Sequence, residues 1–217
     1  MTFIAVSILM TRVNKQESLH VSTNVRGDKT RAEVLDAAWD LISEKGADVS
    51  VSSIATAVGI SRQTVYLHFG SRGGLLVALV RRADERFEIK EEFDAALEIK
   101  DPKERLTMTL QAWLEFVPKI YPVAKDLIRL RETDAEAAAA WADRMEELRV
   151  WLFALMSSLQ KDGALKRKWT PETASQFFWA QTSVQVWALL TKDCGWSEKA
   201  VAEHLEFALT RSLLQGK

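Results

Sequence analysis

Apolar residues recur along this chain at spacings of three and four, with no run of the strict alternation that marks a half-buried strand. The stretch Thr30-Arg31-Ala32-Glu33 reads as a capping box, in which the threonine and glutamate side chains each satisfy a free amide at a helix start. The predicted helix carries Leu35, Ala38, Trp39 and Ile42 on one face and stops at Gly46. Ser50 caps a short second helix from Val51 to Val58, Gly59 supplies a tight turn, and Ile60 points inward. Ser61 then caps a third helix from Arg62 to about Phe69, and Ser71 opens a fourth that is expected to run into the nineties.

Later punctuation is helical as well. Asp101-Pro102 and Thr170-Pro171 each set a capping residue before a proline at the first helical position. Pro118 and Pro122 are expected to bend or break the helix around Trp113. Residues 135–162 form one long helix, with Trp141, Met145, Leu148, Leu152, Leu155 and Leu159 on one stripe, and Gly163 ends it. Residues 171–193 and 198–215 complete an all-α chain of nine helices with no internal repeat.

With 217 residues, 47% of them apolar and 27% charged, the chain has the balance of a globular protein able to bury a core. Its net charge of −1 means that any affinity for nucleic acid must come from local charge. The single cysteine, Cys194, allows no intramolecular disulfide, which suits a cytoplasmic chain, and His20, His68 and His204 lack metal-ligand spacing. No metal or cofactor is therefore expected. Phe3 to Met10 is apolar but too short to span a membrane, and no basic residue precedes it. Residues 1–25 read as a loose tail, or as an over-extended start with Met10 as the initiator; Arg12, Lys15 and Arg26 would give weak phosphate contacts at most.

The chemistry concentrates between residues 50 and 72. Ala55 is small where two helices would cross, Gly59 allows the positive φ of a turn, and Ile54, Val58, Ile60 and Val65 anchor the crossing. The third helix opens with Arg62, Gln63 and Thr64, polar groups of the kind that meet base edges. Ser50 and Ser52 stand at the start of the second helix, where hydroxyls and free amides hold phosphate. Residues 49–83 contain Arg62, Arg72, Arg81 and Arg82 and no acidic residue.

The string Ile54-Ala55-x-x-x-Gly59-Ile60-Ser61-x-x-Thr64-x-Tyr66-x-x-Phe69, followed by Ser71-Arg72 and Leu75-Leu76, resembles the signature of the TetR family over about residues 30–80. That resemblance implies a three-helix DNA-binding domain at 26–72 and a helical ligand-binding and dimerisation domain at 73–217. It also implies that Tyr66 and His68 meet DNA phosphates, and that Arg72 lies near the backbone where the family usually has lysine. Gly73-Gly74 depart from the family pattern; each glycine costs about 1 kcal/mol of helix propensity, so a loosened start of the fourth helix is expected.

Eight tryptophans are present, six of them from Trp113 to Trp187. They read either as a bulky core or as the wall of a pocket for a flat, lipophilic molecule, with Trp113, Phe116, Trp151, Phe178 and Trp179 as candidates. Gln181 and Gln185 would orient a ligand or pair across a dimer. By the TetR resemblance, Val184, Trp187, Ala188 and Leu190, with Leu205, Ala208, Leu209 and Leu213, would give the last two helices the apolar faces of a homodimer; the alternative is that these faces pack only inside one chain. The expected partners are thus a double-stranded DNA operator, a small apolar effector and a second copy of the chain, with no membrane. A lipophile carrier that never touches DNA would share the aromatic half but has no use for the Ser61–Phe69 chemistry. An enzyme is not expected, because no nucleophile elbow, phosphate loop or metal cluster is present.

Overall fold

The first helix, α1, spans residues 30–45 and buries Val34, Leu35, Ala38 and Ile42 on one face. The computed structural model describes residue 27, residues 30–45 and residues 49–216. The expectations for residues 1–25 and for the stop at Gly46 lie outside them. Helix α2 (Val51–Val58) is capped by Ser50, whose Oγ accepts from the Ser53 amide at 3.0 Å. Gly59, at φ 74°, ends it in the left-handed conformation that glycine tolerates. Helix α3 (Arg62–Phe69) is capped in the same way by Ser61, and α4 (Arg72–Arg86) by Ser71.

The fourth helix does not run into the nineties. It stops at Phe87, Glu88 takes a left-handed φ of 50°, and α5 (Ile89–Leu97) starts anew. Conversely, α6 (Pro102–Leu130) passes through Pro118 and Pro122 as one helix of 29 residues. Each internal proline removes a backbone hydrogen bond at a cost of about 3 kcal/mol. The packing of α6 against α4, α5, α7, α9 and α10 offsets that loss.

Helix α7 (Ala135–Lys161) ends before Gly163, and α8 (Pro171–Thr182) opens on a Thr170–Thr173 capping box. The single helix expected over 171–193 is broken at Ser183, whose ψ of 153° is extended. Its continuation is a short α9 (Val184–Ala188) and a π turn at Leu189–Asp193. Helix α10 (Glu198–Leu213) closes the chain, and an isolated bridge ties Leu214 to Leu165. Counting α8 and α9 as one broken helix, the described residues form nine helices, but the break expected at the prolines falls at Glu88 instead.

Two apolar cores result. The larger joins α5 to α10 around Trp113, Val117, Leu155, Phe178 and Leu209. The smaller packs α1 to α4 around Ile42, Ile54, Val65 and Leu79, and takes in Val123 and Leu127 from α6 and Ala137 from α7. Gly73 and Gly74 do not loosen α4: an added Cβ at Gly73 would lie 2.8 Å from the Ala137 Cβ, and one at Gly74 would overlap the Phe69 carbonyl oxygen. These are close approaches that only glycine permits.

Candidate DNA-reading helix and interior cavity

Helix α3 stands on Val65 and Phe69, both buried, so its opposite side is held outward. Arg62 and Gln63 are exposed at its first turn, while Thr64, Tyr66 and His68 are half-buried. The Arg62 guanidinium donates to the Tyr66 hydroxyl at 3.0 Å and lies 5.2 Å from its ring centre, so the two side chains form one unit. Thr64 Oγ1 pairs with the capping Ser61 hydroxyl at 2.9 Å. Ser50 and Ser52 are exposed at the start of α2.

Leu67 was missed in the sequence reading. It is 81% exposed, one turn beyond Gln63 on the same face. An apolar side chain left so open on a helix with a completed inner face is a signal in itself, because it suits contact with a thymine methyl group.

The arginines are distributed differently from the expectation of an acid-free basic segment. Arg72 donates to the Val49 carbonyl and to Asp126 Oδ2, each at 2.6 Å, and Asp126 is buried in α6. Arg82 pairs with Asp36 of α1, and Arg81 with Asp143 of α7. Counting charge along the chain misses acids that the fold brings in from elsewhere. Arg62 keeps its guanidinium on the open face of α3.

In the C-terminal half, Trp113, Phe116 and Trp151 line an interior cavity of about 50 Å³, together with Phe93, Trp141 and Met145. Phe178 is buried in the core, and Trp179, Gln181 and Gln185 do not line this cavity. Trp113 also donates from Nε1 to the Thr182 carbonyl at 2.7 Å, across the break between α8 and α9. Asp84 and Arg144 form an ion pair in the cavity wall, with side chains 15% and 12% exposed. Burial pushes the Asp84 carboxyl up to about 6, although Arg144 acts to lower it. This pair joins two helices across 60 positions of sequence and leaves no spacing signal for sequence reading to find.

Of the apolar residues proposed for the last helices, Val184, Trp187, Leu205, Leu209 and Leu213 are buried within the chain itself. The exposed apolar side chains of that region are Leu189, Trp196 and Phe207, with Ala208 beside them.

The model for bacterial regulatory proteins of the tetR family matches residues 34–79, the whole of the helix-turn-helix and most of its supporting helices. This chain belongs to the TetR family. The HTH-type transcriptional repressor BepR of Brucella suis is 28% identical over 167 residues, covering 73% of this chain and 79% of BepR. The transcriptional regulator EthR of Mycobacterium tuberculosis is 25% identical over 143 residues, covering 65% of this chain and 66% of EthR. A Saccharomonospora viridis protein solved in complex with choline has the same fold, at a TM-score of 0.69 and 20% identity over 87% of this chain and 100% of its own. The chain is thus a DNA-binding transcriptional regulator of TetR type. Among the described residues no helix is long and apolar enough to cross a membrane, and no cluster of metal-binding side chains occurs.

Proposed function

We propose that this TetR-family chain is a homodimeric repressor that grips an operator with α3 and lets go when a small, largely apolar molecule enters the cavity between α4 and α7. The reading gives residues 26–72 the DNA contact and residues 73–217 the ligand and the dimer. The observation that carries it is the outer face of α3, where Arg62, Gln63, Tyr66 and Leu67 stand on a filled inner face with no carboxylate on α2 or α3.

Arg62, Gln63 and Leu67 would meet base edges, and Tyr66, His68, Thr64, Ser50 and Ser52 phosphates or sugars. Arg72, held by Asp126, would present the α4 start to the backbone while bracing it against α6. Repression is the reading because BepR, which this chain resembles, is a repressor. The cavity walled by Trp113, Phe116 and Trp151 supports an apolar effector, with Phe178, Trp179, Gln181 and Gln185 behind it or at the dimer face. Two chains joined through α8 to α10 would set their α3 helices about 34–36 Å apart, one turn of DNA.

The test is fluorescence anisotropy of the purified full chain on the DNA flanking its own gene, across a salt series. Affinity should fall at least tenfold between 50 and 200 mM salt. The double substitution Arg62→Ala, Tyr66→Ala should weaken binding about 100-fold or more, from one lost bidentate contact and its phosphate neighbour. Equal binding by the double mutant would remove α3 from the role given to it.

A further inference from the structure

The interior cavity and an open surface cleft share a wall. The cavity holds about 50 Å³, while the cleft beside it holds about 560 Å³ and is bordered by Arg81, Glu85, Lys90 and Glu91. Asp84, Arg144 and Trp151 line both. They are the partition between solvent and the apolar interior.

The cavity as it stands is too small for an effector. A cavity of about 150 Å³ is what takes up benzene, and sites for larger ligands run from about 300 Å³ upward. An apolar molecule that gains room from the cleft must therefore part the shared wall of Trp151, Asp84 and Arg144.

The pair itself is incompletely satisfied. Arg144 donates to Asp84 and to Glu147, but its Nε is buried and has no partner among the described residues. A buried donor without an acceptor is costly and is relieved by one. We infer that the Asp84–Arg144 wall is both the entrance and the head-group site of the effector, an apolar molecule ending in a carboxylate that takes Arg144 from Asp84. The inference rests on the ligand-responsive reading above and names the ligand class.

The sign of the head group follows from the two partners. A guanidinium keeps its charge in a protein and always needs an acceptor. Asp84 can become neutral, since burial has already pushed its carboxyl up to about 6. An ammonium head would have to displace Arg144 and then lie beside its unquenched charge in a poorly screened site. A carboxylate head leaves only a carboxyl to be protonated. The groups that face Asp84 are Arg81 and Glu85 on α4, Lys90 and Glu91 on α5, and Arg144 and Glu147 on α7. Helix α6 contributes only apolar cavity residues, among them Trp113, Phe116 and Ile120.

Binding of an anion beside Asp84 raises its carboxyl further, so the complex holds a proton that the free protein lacks above about pH 6. Affinity for a carboxylate ligand should rise as pH falls from 8 to 6 and level off below that. The experiment is a titration of tryptophan fluorescence in the full-length protein, since Trp113, Trp141 and Trp151 all line the cavity. The probes are 4-phenylbutyrate, 4-phenylbutanol and 4-phenylbutylammonium, which share one apolar body. The expected order places the carboxylate about tenfold or more ahead of the ammonium, as a charge-assisted bond requires. Arg144→Lys should cut carboxylate affinity about tenfold and leave the alcohol nearly unchanged, because the planar fork is lost while the charge stays. Asp84→Asn should abolish the rise between pH 8 and 6. An ammonium bound as well as the carboxylate, or a flat pH profile in the unaltered protein, overturns the head-group inference while leaving the ligand reading standing. No binding by any of the three overturns both.

Discussion

Gly73 and Gly74 look like a weakness in a helix start, and each does forgo about 1 kcal/mol of propensity relative to alanine. Their surroundings reverse the sign. A methyl group at Gly74 would meet the backbone oxygen of Phe69, which cannot swing aside as a side chain can. Gly74→Ala should therefore lower stability by about 1–3 kcal/mol, the range for overpacking. Urea unfolding checks this, and a raised midpoint would show that the start of α4 had been slack after all. The polar first turn of α3, with Arg62, Gln63 and Thr64, was legible because the Ser61 cap fixes where that turn begins. Leu67 was not, since an apolar residue in a periodic pattern reads as core until its exposure is known. Arg72, Arg81 and Arg82 were misjudged as a group, because their acidic partners lie 54, 62 and 46 positions away, each on another helix.

At the level of elements, serine and threonine caps marked most starts correctly, since a capping hydroxyl acts within its own turn. Interruptions were harder to read. Pro118 and Pro122 announce a break that packing overrides, whereas the actual turn at Glu88 has no glycine or proline to announce it. The break at Ser183 has its own internal support. The Val186 amide turns to the Ser183 hydroxyl at 3.3 Å, and the Thr182 carbonyl accepts from Trp113 Nε1 instead. Trp113→Phe keeps an aromatic ring but loses the pyrrole part of the indole and strands that carbonyl, so stability should drop by at least about 1–3 kcal/mol. Thermal unfolding by circular dichroism measures it, and an unchanged midpoint would mean that water serves the carbonyl equally well.

At the scale of the molecule, the fold class followed from periodicity and punctuation, while the faces used for assembly did not. Leu205, Leu209 and Leu213 form a convincing dimer stripe on paper, yet the chain consumes them itself. Phe207, 65% exposed, is what α10 has left to offer a second copy. If the proposed dimer forms through this face, Phe207→Glu should leave monomer in sedimentation velocity at micromolar concentration, where the unaltered chain sediments as a dimer. It should move folding stability by no more than about 0.5 kcal/mol, as for other surface positions. A dimer that survives would place the contact elsewhere.

The smaller core has a consequence for portability. Helices α1 to α4 look like a detachable reading head, and the sequence signature covers little more than that. Yet the head borrows Val123 and Leu127 from α6 and Ala137 from α7, and its Arg72 is anchored on Asp126. Grafted onto a foreign body without those four residues, it would carry an Arg72 stripped of Asp126 and a Gly73 facing a gap where Ala137 had been. Recombination between relatives would thus have to exchange the head together with the last third of α6 and the start of α7, and the specificity of this protein is inherited in two pieces of chain that must travel as one.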